Sequence, residues 1–143
     1  MSLEGTLQEW YRRVWEEADV SAIDEMLAPD VTITGLEEGT FSDKDAFKLF
    51  HELVFRILRD IRPKILKTIE EGEWIAALIE LNATVVANGE ALSVQSHLLA
   101  RIVDGKVVEG NNMIDFITAF QQIGVMPPRT LDHCLLGRSL SFA

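Results

Sequence analysis

The stretch that decides the fold is Ala91–Gly124, which reads ALSVQSHLLARIVDGKVVEGNNMIDFITAFQQIG. It contains two strand-like runs, which are joined at Asp104-Gly105 and followed by a short helical run. Asp-Gly between two such runs predicts a tight antiparallel hairpin, because both central residues of that turn need a positive φ. Turn residues at Glu71-Gly72 and Asn88-Gly89 separate two further strand-like runs upstream. The second half of the chain therefore predicts an antiparallel meander.

Polar side chains on this hairpin are the best candidates for chemistry. Because strand side chains alternate between faces, Gln95 and His97 share one face and Ser96 lies on the other. Two polar groups on one face of an otherwise apolar strand are hard to bury unless they serve a function. We therefore expect Gln95 and His97 to face inward, towards a pocket. The returning strand brings four more polar residues past them: Glu109, Asn111, Asn112 and Asp115.

The first half of the chain is helical in pattern. Apolar residues at helical spacing form one stripe near the start, which comprises Leu3, Leu7, Trp10, Tyr11, Val14, Trp15 and Ala18. Ser21 begins a short helix that Pro29 ends, Val31–Thr34 is strand-like, and Ser42 caps a longer helix with His51 at the border of its apolar face. Helices followed by a meander predict an α+β domain, in which the helices cover the concave face of a curved sheet and leave a pocket between the layers.

Composition excludes several classes of function. The 143 residues carry a net charge of −10, which argues against nucleic acid and anionic membranes as partners. The histidines and the one cysteine lack metal-ligand spacing, so we expect no metal and no cofactor. Cys134 cannot form an internal disulfide, and the N-terminus has no pattern of an export signal. Together these features favour a cytoplasmic protein that binds a small molecule.

Three stretches carry a resemblance to a known family. WYRRVWEEADVSAIDEMLAPDVTITG, EGEWIAALIEL and GKVVEGNNMIDFITAFQQIG together resemble the SnoaL-like polyketide cyclases of the NTF2-like superfamily. The resemblance covers roughly Leu7–Pro127 and is specific in the order of its elements and in the closing D-x-x-x-x-x-QQ-x-G pattern. It implies one cone-shaped domain over residues 1–128, and it leaves residues 129–143 as a tail outside the family pattern.

The resemblance also implies an activity. Such enzymes close a polyketide ring by intramolecular aldol condensation without a cofactor, and a carboxylate takes and returns the proton. Gln95 and His97 match the family's Gln-x-His strand pair, whereas Asn111 and Asn112 stand where the family often has Trp and Asp. Asp115 is then the candidate acid/base, and the other polar residues of the hairpin would orient the substrate.

Each candidate also has a structural interpretation. Asp115 precedes a helical run, where Asp is a preferred N-cap. His97 suits an orienting role better than that of a base, and His51 suits packing at a helix border. Aromatic residues that would be core, or would line the pocket with His51, are Tyr11, Trp15 and Trp74.

Three functions therefore stay open. The first is the cyclase-type enzyme; the second is a non-catalytic module that binds an apolar or aromatic molecule; the third is a steroid-isomerase-like or epoxide-hydrolase-like enzyme. The third needs a second carboxylate or an arginine, for which Arg101 is the strand-borne candidate. We also expect a homodimer formed through the outer sheet face by Val85, Leu92, Val94, Leu98 and Val107. The tail is expected to pack on its own domain or on a partner through Leu131, Cys134, Leu135, Leu136 and Leu140.

Overall fold

The structure, a computed structural model, describes residues 1–39 and 41–141. Within these residues the helices are α1 (Leu3–Trp10), α2 (Val20–Met26), α3 (Lys44–Ile57), α4 (Phe116–Ile123) and α5 (Thr130–Leu135), and a π-helical segment, Tyr11–Glu16, continues α1. The strands are β1 (Leu27–Thr34), β2 (Leu58–Glu71), β3 (Trp74–Val85), β4 (Ala91–Val103) and β5 (Lys106–Ile114).

The strands form one sheet in the order β1-β5-β4-β3-β2. Strands β2 to β5 pair with their sequence neighbours in antiparallel fashion, and β1 adds to β5 in parallel. The turn between β4 and β5 has positive φ at Asp104 (51°) and Gly105 (75°), as the Asp-Gly pattern predicts. The α+β class with a curved, mostly antiparallel sheet is therefore confirmed.

The first helix changes its geometry where it meets the sheet. Ser2 caps α1 by accepting a hydrogen bond from the Gly5 amide at 2.9 Å. Beyond Trp10 the helix widens, and the amide of Glu17 donates to the carbonyl of Arg12, five residues back. The carbonyl of Val14 in this segment accepts a hydrogen bond from His51 of α3 at 2.8 Å, so the two helices are joined at the irregular turn.

The two faces of the sheet differ sharply in burial. Along β4, alternate residues from Leu92 to Ile102 are buried, and the residues between them are exposed or half-buried. In β3, Ile75 and Ile79 are completely buried. The buried parity packs against the helices, and we call it the inner face. The opposite parity is the outer face.

Some element boundaries differ from those that the sequence predicts. Asp43, not Ser42, caps α3 by accepting from the Ala46 amide at 2.8 Å. Strand β2 begins at Leu58, directly after α3, and contains Pro63. Pro63 is tolerated because β2 is the edge strand of the sheet.

The prediction that the dimer residues lie on the outer face of the sheet is wrong. All of them are buried on the inner side: Val85, Leu92, Val94, Leu98 and Val107. The outer face carries other apolar side chains, among them Ile69, Leu99 and Met113, which are 64%, 44% and 61% exposed.

The tail packs less closely than expected. Thr130 is buried, and its hydroxyl donates to the Pro127 carbonyl at 2.6 Å. Leu131, Leu135 and Leu136 remain 51%, 76% and 69% exposed, and Cys134 is exposed too. These three leucines are therefore largely uncovered, whereas Leu140 is half-buried, and packing of the tail on its own domain or on a partner stays a prediction. In the described part of the chain, every helix is too short or too polar to cross a bilayer.

Candidate functional site

A cavity of about 500 Å³ lies between the inner face of the sheet and the helices. The wall opposite the sheet comes from α1, the π-helical segment and α3, and residues of α4 line one end of the cavity. Apolar side chains dominate the lining, and eight of them are aromatic: Trp10, Tyr11, Trp15, Phe41, Phe47, Phe50, Phe116 and Phe120. A volume of this size is typical of a site for a small molecule, which would be surrounded on most sides by ring faces and edges.

Few polar residues line the floor of the cavity: Asn82 comes from β3, and two others, Ser96 and Asn112, form a polar spot on β4 and β5. Ser96 is paired across the hairpin with Ile114, and Leu98 with Asn112, so the two polar residues are diagonal neighbours on the inner face. Such neighbours lie about 7–8 Å apart between Cα atoms, which is close enough for both to contact one ligand group. The spot can therefore hold a carbonyl or hydroxyl group.

Tyr11 supplies a polar group from the helical wall. It lies at the start of the π-helical segment, is 7% exposed and lines the cavity. Burial raises the pKa of the Tyr11 hydroxyl, because the charged phenolate is poorly solvated there. At neutral pH the hydroxyl therefore keeps its proton and can donate a hydrogen bond to a ligand oxygen.

Charge is nearly absent from the cavity wall. Among the described residues that line it there is no Lys, Arg or His, and Glu37 is the only carboxylate. A ligand anion would lose its hydration without gaining a cationic partner, which is costly. The wall therefore favours a neutral ligand.

Glu37 reaches the cavity from the loop after β1. Gly35 begins this loop with φ +89°, and a Cβ atom built on it would lie only 1.8 Å from the carbonyl oxygen of Asn112. Glycine is required there for both reasons, since a side chain would disfavour the φ value and collide with β5. The close approach places Leu36 and Glu37 in the cavity wall beside the Asn112 end of the floor.

Gln95 and His97 do not face the cavity, so this prediction is wrong. Both are exposed on the outer face, and Ser96 between them points inward. The alternation itself was predicted correctly, but the assignment of the inner parity was not. A period of two means that such an error exchanges every side chain between the faces. The apolar parity of β4 is the buried one, as the hydrophobic effect requires.

Asp115 acts as a helix cap. Its Oδ1 accepts from the Thr118 amide at 3.1 Å, and its Oδ2 accepts from the Thr118 hydroxyl at 2.6 Å. It is exposed and does not line the cavity. Asn111 is also exposed, and its amide donates to the Thr34 hydroxyl at 2.8 Å, so it joins β5 to β1. Of the four polar residues predicted on the returning strand, Glu109 included, the structure brings only Asn112 into the cavity wall.

His51 has a structural position, and its side chain is more buried than the pattern suggested. It is 4% exposed, and its ring lies 5.0 Å from that of Trp15 and 4.7 Å from that of Phe55. Since the Val14 carbonyl can only accept, Nε2 of His51 must carry the hydrogen in their 2.8 Å contact. His51 does not line the cavity between the sheet and the helices, and its contact with a substrate stays a prediction.

The aromatic predictions divide in two. Tyr11 and Trp15 line the cavity, whereas Trp74 pairs with Arg101 at the start of β3 and is not part of the wall. Four polar cavity residues were missed: Thr6, Glu37, Asn82 and Ser96. Ser96 could have been found as a polar residue on the apolar parity of β4. Glu37 gave no comparable signal, because its place depends on the contact between Gly35 and β5.

A curved, mostly antiparallel sheet, with helices over one face and an apolar cavity between the layers, defines the NTF2-like class of folds. The family model of the SnoaL-like polyketide cyclases matches residues 5–123. The chain therefore belongs to the SnoaL-like polyketide cyclase family. Among curated proteins, no sequence matches it.

Solved structures share this fold at low sequence identity. A candidate polyketide cyclase from Bacillus cereus ATCC 10987 is 19% identical, with a TM-score of 0.75 over 85% of this chain and 79% of that chain. AclR, a candidate hydroxylase from Streptomyces galilaeus, is 21% identical, with a TM-score of 0.75 over 87% of this chain and 96% of that one. An NTF2-like protein of unknown function from Burkholderia pseudomallei K96243 is 25% identical, with a TM-score of 0.72 over 86% and 98%. At such identities the likeness concerns the fold.

Proposed function

We propose that the protein is a cofactor-free enzyme that binds a neutral, largely apolar polyketide-type molecule in the cavity and closes a ring in it. Membership of the cyclase family supports an enzyme that acts on small molecules. The observation that carries the proposal is the cavity of about 500 Å³, whose described lining is aromatic and aliphatic and lacks any cation. Such a wall favours a ligand with ring faces and without a negative charge.

The polar groups of the wall suit the carbonyls of such a ligand. Tyr11 can donate a hydrogen bond from the helical side, and Ser96 and Asn112 can do so from the sheet. Holding two carbonyl-bearing parts of one flexible chain near each other lowers the entropic cost of ring closure. The aromatic walls exclude water, which strengthens these hydrogen bonds. The chain's contribution to the reaction is thus mainly to fold the substrate and to polarise its carbonyls.

One observation favours a second candidate, a binding module without catalysis. On the inner faces of β4 and β5, the polar residues that line the cavity are Ser96 and Asn112, and neither can accept a proton from carbon. Conversion of a bound polyketide would support the enzyme, and tight binding without conversion would favour the module.

The third hypothesis, a steroid-isomerase-like or epoxide-hydrolase-like enzyme, loses its main residue. Arg101 lies on the outer side of the hairpin, and its guanidinium contacts Glu109 at 3.1 Å and Glu73 at 3.5 Å. It is not among the described residues of the cavity wall. The described wall therefore offers neither the arginine nor a second carboxylate beside Glu37, one of which that hypothesis needs.

The neutral character of the cavity can be measured with two ligands that share one ring system. We expect 2-acetylnaphthalene to quench the tryptophan fluorescence on binding, because Trp10 and Trp15 line the cavity. Its carboxylate analogue, 2-naphthoate, should bind at least about tenfold more weakly, which corresponds to about 1.4 kcal/mol for an anion buried without a cation. Equal affinities of the two ligands would contradict the proposed lining.

A pair of matched variants locates that binding. Ala100→Phe fills the inner side, where Ala100 lines the cavity, and it should abolish the quenching. Ala76→Phe makes the same change on the outer face, since Ala76 pairs with the exposed Leu99, and it should leave the affinity unchanged. Loss of binding in both variants would point to general unfolding, which circular dichroism would detect.

The outer face suggests the partner, a second copy of this chain. Its exposed apolar residues lie on neighbouring strands, with Ile69 opposite Ala76, Ala76 opposite Leu99, and Met113 opposite His97. We expect a two-fold homodimer that buries this patch, because a self-complementary surface is the simplest way to cover it. Sedimentation equilibrium at micromolar concentration should give twice the monomer mass, and Leu99→Glu should give the monomer. Val125→Glu, at a residue that is 68% exposed and outside the sheet, is the control and should stay dimeric. A monomeric wild type would refute the dimer.

A further inference from the structure

We propose that Glu37 is the carboxylate that takes a proton from the molecule bound in the cavity and returns it. This inference rests on the proposed function, since it needs a ligand in the cavity. It assigns the proton transfer to the loop after β1, whereas the sequence pattern assigned it to Asp115 at the end of β5.

Position is the first argument for Glu37. Among the described residues of the cavity wall it is the only carboxylate, and it is exposed, so it lies at the solvent-facing rim of the wall. The neighbouring Leu36 is 6% exposed and fills the wall, and the next acidic residue, Glu38, does not line it. The loop therefore presents one particular carboxylate to the cavity.

The backbone of the loop gives the second argument. Glu37 has φ 128°, in a region that only glycine adopts readily, and such a conformation costs about 1–3 kcal/mol. The contact between Gly35 and the backbone of Asn112 determines where the loop lies, so the unfavourable conformation is held by the surrounding structure. Residues in this state are concentrated at functional sites, where position matters more than local stability.

The other carboxylates near the hairpin have different partners. Asp115 accepts two hydrogen bonds from Thr118 at the start of α4. Glu109 contacts Arg101 at 3.1 Å, and Glu80 accepts from the Asn82 side chain at 2.9 Å. None of these three carboxylates is among the described residues that line the cavity, so each is engaged away from a bound ligand.

The proposed step needs no co-reactant. The Glu37 carboxylate takes a proton from a carbon next to a carbonyl, and the electron pair of that C–H bond passes into the enolate. The enolate carbon forms a C–C bond with a second carbonyl carbon of the same molecule, whose C=O π electrons become an alkoxide. The alkoxide then takes the proton back from the Glu37 carboxylic acid. The product is an isomer of the substrate, and Glu37 ends as a carboxylate.

The first half of this step can be tested without knowing the natural substrate. The neutral aromatic ketone 2-tetralone is dissolved in D₂O, and exchange of its acidic C–H for C–D is followed by proton NMR with and without protein. We expect the wild type to accelerate exchange and Glu37→Gln to lose at least tenfold of that acceleration. Binding of 2-tetralone, measured by tryptophan fluorescence, should change less than twofold. The control Glu38→Gln removes one charge from the same loop and should exchange as fast as the wild type.

The possible results separate this inference from the function on which it rests. If 2-tetralone fails to bind to the wild type, the proposed function is wrong. If it binds but Glu37→Gln exchanges as fast as the wild type, or if the wild type gives no acceleration, Glu37 is not the base. Loss of exchange in Asp115→Asn with full exchange in Glu37→Gln would also overturn the assignment, in favour of the helix cap.

Discussion

Replacing Gly35 by alanine is expected to destabilise the protein by more than about 3 kcal/mol and to remove ligand binding. The new Cβ atom would lie 1.8 Å from the Asn112 carbonyl oxygen and 2.8 Å from its carbonyl carbon, so the backbone of the loop or of β5 must move. The positive φ of +89° adds a cost for any residue with a side chain. Movement of the loop would also displace Leu36 and Glu37 from the cavity wall. Urea unfolding measures the first effect, and tryptophan fluorescence with 2-acetylnaphthalene measures the second.

Gly39 in the same loop provides the matched control. Its φ is +74°, and a Cβ atom there would have no neighbour within 4 Å. Gly39→Ala should therefore cost only the conformational penalty of about 1 kcal/mol and should retain binding. If Gly35→Ala unfolded at the same urea concentration as Gly39→Ala, the close contact between the loop and β5 would be refuted.

His51→Ala is expected to lower the free energy of unfolding by about 3 kcal/mol. The substitution removes the donor to the Val14 carbonyl and leaves that carbonyl buried beside the completely buried Val14 side chain. It also removes the ring that packs against both Trp15 and Phe55. Differential scanning calorimetry should show a clearly lower Tm.

A second histidine provides a control that tests whether the loss of stability comes from burial of the side chain or from the residue type. His133 lies in the short helix α5 and is only half-buried, so His133→Ala should change the stability by less than about 1 kcal/mol. An equal loss of stability in both variants would mean that the buried hydrogen bond of His51 contributes little to the free energy of unfolding.

Local chemistry in the sequence was enough to predict the architecture. The Asp104-Gly105 and Asn88-Gly89 turns set the order of the strands, and the helical stripe before Ala18 placed an amphipathic helix over them. The orientation of β4 was predicted wrongly, because Gln95 and His97 were assigned to the pocket on account of their chemistry. The number of apolar residues on each face predicts the opposite orientation. Leu92, Val94 and Leu98 lie on the same face of β4, and that face is buried. The free energy gained by burying apolar area decides which face of the strand is buried, whatever chemistry the polar pair on the other face could perform.

The candidate site was harder to predict than the fold. Capping by Asp115 was visible, since a helical run follows it at once. Glu37 was not visible, because its position follows from a contact between the loop after β1 and the backbone of Asn112. A contact of that kind has no periodicity and no local signature. It becomes evident only when the parallel register of β1 on β5 is known.

The parallel pairing of β1 with β5 also has a consequence for how the chain folds. Thr34 and Asn111, which join the two strands, lie 77 residues apart in sequence, whereas the hairpins from β2 to β5 are local. Closing so long a loop is entropically slow, so the meander can form before β1 finds its place. During synthesis, at about 5–20 residues per second, β1 must wait for several seconds until β5 has left the ribosome. In that interval the apolar faces of the N-terminal helices have no sheet to cover, so they stay exposed to solvent.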